Sequence, residues 1–152
     1  IDNKKFMINK SVKKMIREET KFGLNKFSTY LQFANRVKMS KKKLLEILKR
    51  CKYKKLKVIG YGATAKSSTV LNFCNIKQDL VSYFLDTTPD KHNKYIPGVH
   101  IPINKYKGPI NRNIDVVYLG AWNFKEEIFI KEKNFIKNGG KFLTHTPYPR
   151  II

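Results

Sequence analysis

The sequence is short of several things at once, and each shortage closes off a class of protein. Among its 152 residues no apolar run approaches the roughly 18–20 residues a bilayer-crossing helix needs. The first ten, "IDNKKFMINK", hold no apolar stretch of the kind that directs secretion. A soluble protein with no membrane partner is expected. Cysteine is scarce: Cys51 and Cys74 stand too far apart for a local Cys-x-x-Cys metal or redox motif, and a reducing cytoplasm suits them. Cys74 falls on the apolar side of a helical pattern, where a small buried hydrophobe is expected. His92, His100 and His145 show no ligand spacing, so no metal site is expected. No internal repeat or low-complexity segment occurs.

Acidic residues and arginine are also few. Eleven acids face 32 basic residues, for a formal charge of +21, but 27 of the 32 are lysine and only five arginine. A charge of that size invites a nucleic-acid partner. Base readout and bidentate phosphate clamping favour arginine, however, and the lysines are spread along the whole chain among 16 isoleucines and 13 asparagines. Lys, Asn and Ile share A/T-rich codons, so composition bias with a solvated lysine surface accounts for the excess, and a nucleic-acid partner is not expected.

What is present begins with size. A 152-residue chain can build one well-buried core, hiding about 68–70% of the surface its unfolded form exposes. It begins at Ile1 rather than Met, which reads as a piece of something longer. Its first third is helical in pattern. Val12, Met15, Ile16 and Phe22 recur at helical spacing, with Gly23 placed to end the helix. A second stripe from Asn25 to Arg50 is interrupted at Met39–Lys43, which predicts one bent helix or two.

From residue 56 the period changes. "LKVIG" (56–60), "LVSYFLD" (80–86), "GVHIPI" (98–103), "IDVVYLGA" (114–121) and "KFLTHT" (141–146) read as strands, with helices over Thr64–Asn75 and 123–140. This alternation predicts an α/β fold: a Rossmann-like, three-layer parallel sheet preceded by a helical N-terminal segment. The expected division is a helical lead-in over 1–52 and the sheet domain over 53–152. Neither 87–98 nor 104–113 has a helical pattern, so the sheet is a trimmed one. Ligands of such sheets bind outside the carboxyl ends of the strands, which here places Tyr61–Lys66, Asp86–Thr88, Gly120–Asn123 and His145–Thr146 on one edge.

The chemistry on that edge starts with Gly60, Gly62 and Ala65, which match G-x-G-x-x-G/A directly after a strand and before a helix. The first glycine permits a tight turn, the second lets a ligand approach the backbone, and the small third residue lets helix and strand pack closely. Amides at the helix start then face an anion. Lys66 could neutralise a phosphate, and Asp86 ends the next strand where a dinucleotide enzyme places a ribose-binding acid, although it equally suits a strand-end turn. Trp122, the only tryptophan, could stack on a sugar or base or simply pack. Asn123 is placed to cap the helix after it, and Glu126 and Glu127 complement that helix's dipole. From these residues alone the ligand stays open: a redox dinucleotide, a methyl donor, a sugar nucleotide or none.

Taken together, "GYGATAKSSTVLNFC" (60–74), "LDTTPDKHNKYIPGVHIPI" (85–103), "LGAWNFKEEI" (119–128) and "GGKFLTHTPYPRII" (139–152) resemble the carboxyl-terminal domain of sugar C-methyltransferases, and "YLQFANRV" (30–37) resembles the segment preceding it. The resemblance covers nearly the whole chain. It implies a Rossmann-like domain that helps hold a nucleotide-linked sugar, with S-adenosylmethionine and the catalytic base in a separate methyltransferase domain of the same or a neighbouring chain. No cofactor, no catalytic residue and no turnover are then expected of this chain alone. The expected substrate-binding residues are Gly60, Tyr61, Gly62, Ala63, Lys66 and Asp86, with His100, Trp122 and Asn123 shaping the sugar end. Ser67 and Ser68 stand where the family commonly has a glycine and an asparagine. The competing readings are an NAD(P)-type dinucleotide-binding domain, a basic nucleic-acid-binding module and a scaffolding domain without a ligand.

Overall fold

The computed structural model describes residues 9–152. The chain divides into two compact units between Met39 and Ser40, and each is described by itself.

In the first unit, helix α1 (Lys10–Phe22) opens with the Asn9 side chain accepting from the Ser11 amide. It closes as the glycine signal predicts. Gly23 takes a left-handed φ of 85°, and the amides of Gly23 and Leu24 return to the carbonyls of Thr20 and Glu19. Helix α2 (Phe27–Tyr53) begins in this unit and is unbroken through the interrupted stripe. Its start is tied to the turn by Thr29 Oγ1 donating to the Gly23 carbonyl at 2.8 Å and Tyr30 OH to that of Leu24 at 2.6 Å. No residue of α1 is buried, and Phe22, Phe27, Tyr30 and Leu31 are exposed.

The second unit holds the rest of α2 and a seven-stranded sheet. Its strands are β1 (Val58–Tyr61), β2 (Phe84–Asp86), β3 (Lys94–Tyr95), β4 (Pro102–Lys105), β5 (Val116–Leu119), β6 (Lys141–Thr144) and β7 (Arg150–Ile151), in the order β3-β4-β2-β1-β5-β6-β7. The five inner strands are parallel, and two-residue antiparallel strands close both edges. These edge strands left no signal in the sequence because two residues cannot establish a period. Helix α3 (Ala65–Cys74) connects β1 to β2, and α4 (Lys125–Lys131) and α5 (Lys133–Lys137) connect β5 to β6.

One core lies under α2 and α3 on one face, where Leu44, Leu48, Leu71, Cys74, Phe84 and Tyr118 are buried. The other lies under α4 and α5, with Ile59, Val117, Leu119, Ile128, Phe135 and Phe142. Burying each such large apolar side chain contributes about 1.5–3 kcal/mol, so the two faces together secure the α/β architecture that the alternating pattern predicts. Two boundaries differ from the sequence reading. The strand expected over 98–103 begins only at Pro102, because residues 96–101 form the turn that folds β3 back on β4, with the Ile96 amide on the Ile101 carbonyl and the His100 amide on that of Ile96. The helix expected over 123–140 is a 3-10 turn (Trp122–Phe124) and two short helices broken at Glu132. Between β2 and β4 the only helical turn is a 3-10 turn over Pro89–Lys91.

Candidate functional site

Strand order reverses beside β1, with β2 on one side and β5 on the other. In an open α/β sheet the ligand crevice lies at such a point, outside the carboxyl ends of the strands. Here it is framed by the glycine turn after β1 and by Gly120–Trp122 after β5.

The turn is packed tightly. Gly62 takes φ +83°, and a Cβ there would lie 2.5 Å from the Ala121 Cβ, while one on Gly120 would overlap the Gly62 carbonyl oxygen. A Cβ on Gly60 would collide with the Phe84 ring. These glycines therefore let β1, β2 and the β5 exit approach one another, and the space beside Gly62 that the motif offers a ligand holds Ala121. The amides near Gly62 are also engaged: that of Gly62 by the Leu85 carbonyl, and that of Ala63 by Asp86 Oδ2 at 2.8 Å.

The open donors lie one step further on. Thr64 caps α3 through Ser67, its Oγ1 accepting from the Ser67 amide at 3.1 Å while Ser67 Oγ accepts from the Thr64 amide at 3.0 Å. Ser67 thus supports the turn from inside. Among the hydrogen bonds of the described residues, the amides of Ala65 and Lys66 have no partner. Both residues are exposed at the positive end of a ten-residue helix. Lys66 forms no ion pair among the described residues, and its Nζ sits 5.2 Å from the centroid of the Trp122 ring. Trp122 and Asn123 border a shallow depression of about 410 Å³ that runs on to Glu127. Two amides, one ammonium and one indole at the switch point can take an anionic group with a flat or apolar neighbour.

The other expected residues are placed differently. Tyr61 turns its side chain into the second core, edge-on to Tyr106 at 5.4 Å, and burial followed by the charge of Glu132 pushes its phenol up to about 12. It packs as a neutral ring, so only its backbone reaches the edge. Asn123 does not cap α4, because the 3-10 turn moves the cap position to Phe124, which makes no side-chain cap bond. His100 is exposed at the opposite edge of the sheet, ahead of β4, in a turn fastened where Asn72 Nδ2 donates to the Pro97 carbonyl at 2.9 Å. A Cβ on Gly98 would meet the Asn72 side chain. The "PGVHIPI" segment is thus a clasp on the far end of α3, and it does not bring His100 to Trp122.

Asp86 is a latch. Its Oδ2 accepts from the Ala63 amide and, at 3.2 Å, from Lys91 Nζ, while Oδ1 accepts from the Thr88 amide at 2.8 Å. Burial raises its carboxyl pKa, but the bonds from Thr88, Lys91 and Ala63 outweigh this and leave it below the usual range. A depressed carboxyl stabilises the fold at pH values above its unfolded pKa of about 3.9, and that contribution disappears as pH falls through the folded value. Asp86→Ala is expected to lose about 1–3 kcal/mol at neutral pH, since it leaves the Ala63 amide buried without a partner. Its acid unfolding curve below about pH 4 should be shallower than that of the parent. Urea titrations at pH 7 and pH 3 measure both, and equal stability losses at the two pH values would contradict the latch.

Two groups have partners that the sequence reading did not give. Glu132 is fully buried and accepts from Tyr106 OH at 2.6 Å and from the Ile110 amide at 2.8 Å. Its signal was there: it sits between Ile128 and Phe135 at helical spacing, an acid within an apolar stripe. The second is His145, just beyond β6, whose Nδ1 lies 3.0 Å from the hydroxyl of the buried Tyr118. No sequence spacing links the two. Among the described residues no group of His, Cys, Asp and Glu could hold a metal ion, and no helix is long and apolar enough to cross a membrane.

A family model described as "C-methyltransferase C-terminal domain" matches residues 2–147. The chain belongs to that family. A C-methyltransferase of Streptomyces niveus, NovU, is 33% identical to it over 145 residues, which is 95% of this chain and 34% of the relative. The chain therefore spans about a third of the length of the curated relative it matches. The match takes in the glycine turn, the β5 exit and most of the helical lead-in.

Proposed function

We propose that this domain holds a nucleotide-linked sugar for a C-methyltransferase that uses S-adenosylmethionine, with the methyl donor and the catalytic base supplied by another domain of the same or a neighbouring chain. The observation that carries the reading is the set of unpartnered Ala65 and Lys66 amides with the Lys66 ammonium, at the switch point of a C-methyltransferase C-terminal domain. Donors of this kind suit the diphosphate of a sugar nucleotide. Trp122 and the depression beside it offer its sugar or base a flat surface. The lead-in supports the second half of the reading. Val12, Met15, Ile16 and Phe22 on α1, with Phe27, Tyr30 and Leu31 on α2, form exposed apolar stripes that a neighbouring domain would cover.

A dinucleotide or methyl-donor ribose fits the turn less well. The acid that would take its hydroxyls is Asp86, which is 5% exposed and already accepts three hydrogen bonds. No step of methyl transfer is assigned to a residue of this chain, and the purified chain is expected to transfer no methyl group. Its residues bind and orient.

Thermal-shift titration tests the reading. Nucleoside-diphosphate sugars (UDP-glucose, dTDP-glucose, ADP-glucose, GDP-mannose) should raise Tm, one of them by an amount equivalent to about 2.7 kcal/mol at a hundred times its Kd. Lys66→Ala should weaken that binding about three- to tenfold through loss of one charge-assisted contact. Stabilisation by NAD alone would move the chain to the dinucleotide class. Steeply salt-dependent binding of DNA or RNA would move it to the nucleic-acid class.

A further inference from the structure

His145 follows β6 on the same edge of the sheet as the glycine turn, and it lies on the same face as α3. Its ring stacks on that of Tyr118 with centroids 5.5 Å apart and planes 17° apart, and Tyr118 belongs to the core under α3 with Leu71 and Cys74. Tyr118 is fully buried, and its hydroxyl lies 3.0 Å from His145 Nδ1. Burial and the nearby Cys74 raise its pKa, so it stays a phenol with a proton to donate. Burial holds the His145 imidazole below its ordinary value, hence neutral at pH 7. A neutral imidazole that accepts at Nδ1 carries its proton at Nε2. Nε2 has no hydrogen-bond partner among the described residues, and it is not a sealed buried atom.

Where the Tyr118 hydroxyl donates to Nδ1, Nε2 carries the proton, at the carboxyl edge of the sheet that also holds the glycine turn. Packing alone does not require a histidine stacked here; an aromatic hydrocarbon would stack as well and leave no second nitrogen at the edge. Resting on the sugar-nucleotide reading above, we propose that His145 is a further ligand-binding residue, its Nε2–H donating to a phosphoryl oxygen of the bound nucleoside diphosphate, and that Tyr118 is the positioning residue that sets its tautomer. The ligand class this adds is narrow: a group with at least two anionic oxygens, one reaching the α3 amides and another His145. A nucleoside or a neutral sugar has no oxygen suited to both.

The test uses the whole chain, with 15N-labelled histidine observed by long-range 15N–1H correlation while ADP, GDP, UDP, dTDP, inorganic pyrophosphate and uridine are titrated. Without ligand, His145 should show the Nε2-protonated tautomer, and Tyr118→Phe should abolish that preference while leaving Tm within a few degrees. At least one nucleoside diphosphate should shift the His145 signals while His92 and His100 stay put, and uridine should shift none. His145→Ala should weaken that diphosphate about tenfold, consistent with loss of one hydrogen bond to a charged group. Binding of a nucleoside diphosphate that leaves the His145 signals and the His145→Ala affinity unchanged would overturn this inference and spare the sugar-nucleotide reading. Failure of every nucleoside diphosphate and sugar nucleotide to bind the parent chain would overturn both. A His145 protonated at Nδ1 would overturn the assignment of Tyr118.

Discussion

Glu132→Ala is expected to lower the stability of the sheet domain by about 2–6 kcal/mol, since it leaves the buried Ile110 amide and the half-buried Tyr106 hydroxyl without their acceptor at about 1–3 kcal/mol each. The side chain is fully buried at the break between α4 and α5, and it is the acceptor for both Tyr106 OH and the Ile110 amide. Through those two bonds it fixes the 104–113 connection, which has no helix or strand of its own beyond Lys105. Neighbouring contacts depend on the same anchor: the Tyr106 ring packs edge-on against Tyr61 and lies 4.2 Å from Lys131 Nζ. A loss of that size corresponds to a fall in Tm of about 10–20 °C for a domain of this length. Circular-dichroism melting measures it, and Glu132→Gln, which retains one accepting oxygen, should recover part of the loss. A fall below about 3 °C in the alanine variant would show that the 104–113 connection does not depend on this anchor.

Gly120→Ala should be comparably severe for a different reason. Gly120 does not need a left-handed backbone; it needs emptiness. A Cβ there would overlap the Gly62 carbonyl oxygen and stand 3.0 Å from the Ser67 Cβ and 3.2 Å from the Phe84 ring. The nearest obstacle is backbone that is itself held, because the Gly62 amide is bonded to Leu85 and the adjacent Ala63 amide to Asp86. Overpacking costs typically about 1–3 kcal/mol and more where the surroundings cannot give way, so the upper end is expected. The glycine turn and the start of α3 should be pushed away from the β5 exit. Two measurements follow: a fall in Tm of about 10 °C or more, and, at a temperature where the variant is still folded, sugar-nucleotide binding reduced more than tenfold. Near-parental Tm and binding together would mean that the turn can move off β5 freely.

The fold was largely legible because its signals are local. "VIGY" and "VVYL" are short continuous apolar runs buried on both faces, as parallel central strands must be. Gly23 and Thr64 mark a helix end and a helix start by chemistry confined to three or four residues. The glycine turn was recognisable too, but its spacing states only that the chain bends tightly there; it says nothing of what occupies the space. That space holds Ala121, some sixty residues along, and the acid at the end of β2 proved to be bonded to the turn itself. His100 was misplaced for the same reason. A two-residue edge strand turned its segment back and set it against the wrong end of α3.

By itself the sequence determined that this protein is an α/β domain with a helical lead-in, and through the order of its motifs it determined the family, because periodicity and motif order are properties of neighbouring residues. Only the tertiary structure decided which polar groups remain open. The Gly62 and Ala63 amides are taken while those of Ala65 and Lys66 are not, and Asp86, Glu132 and Tyr118 are bonded inward to residues 23, 22 and 27 positions away. Whether a donor or acceptor is spent on the fold or left for a ligand depends on what packing brings beside it, and those partners lie beyond the reach of any local pattern.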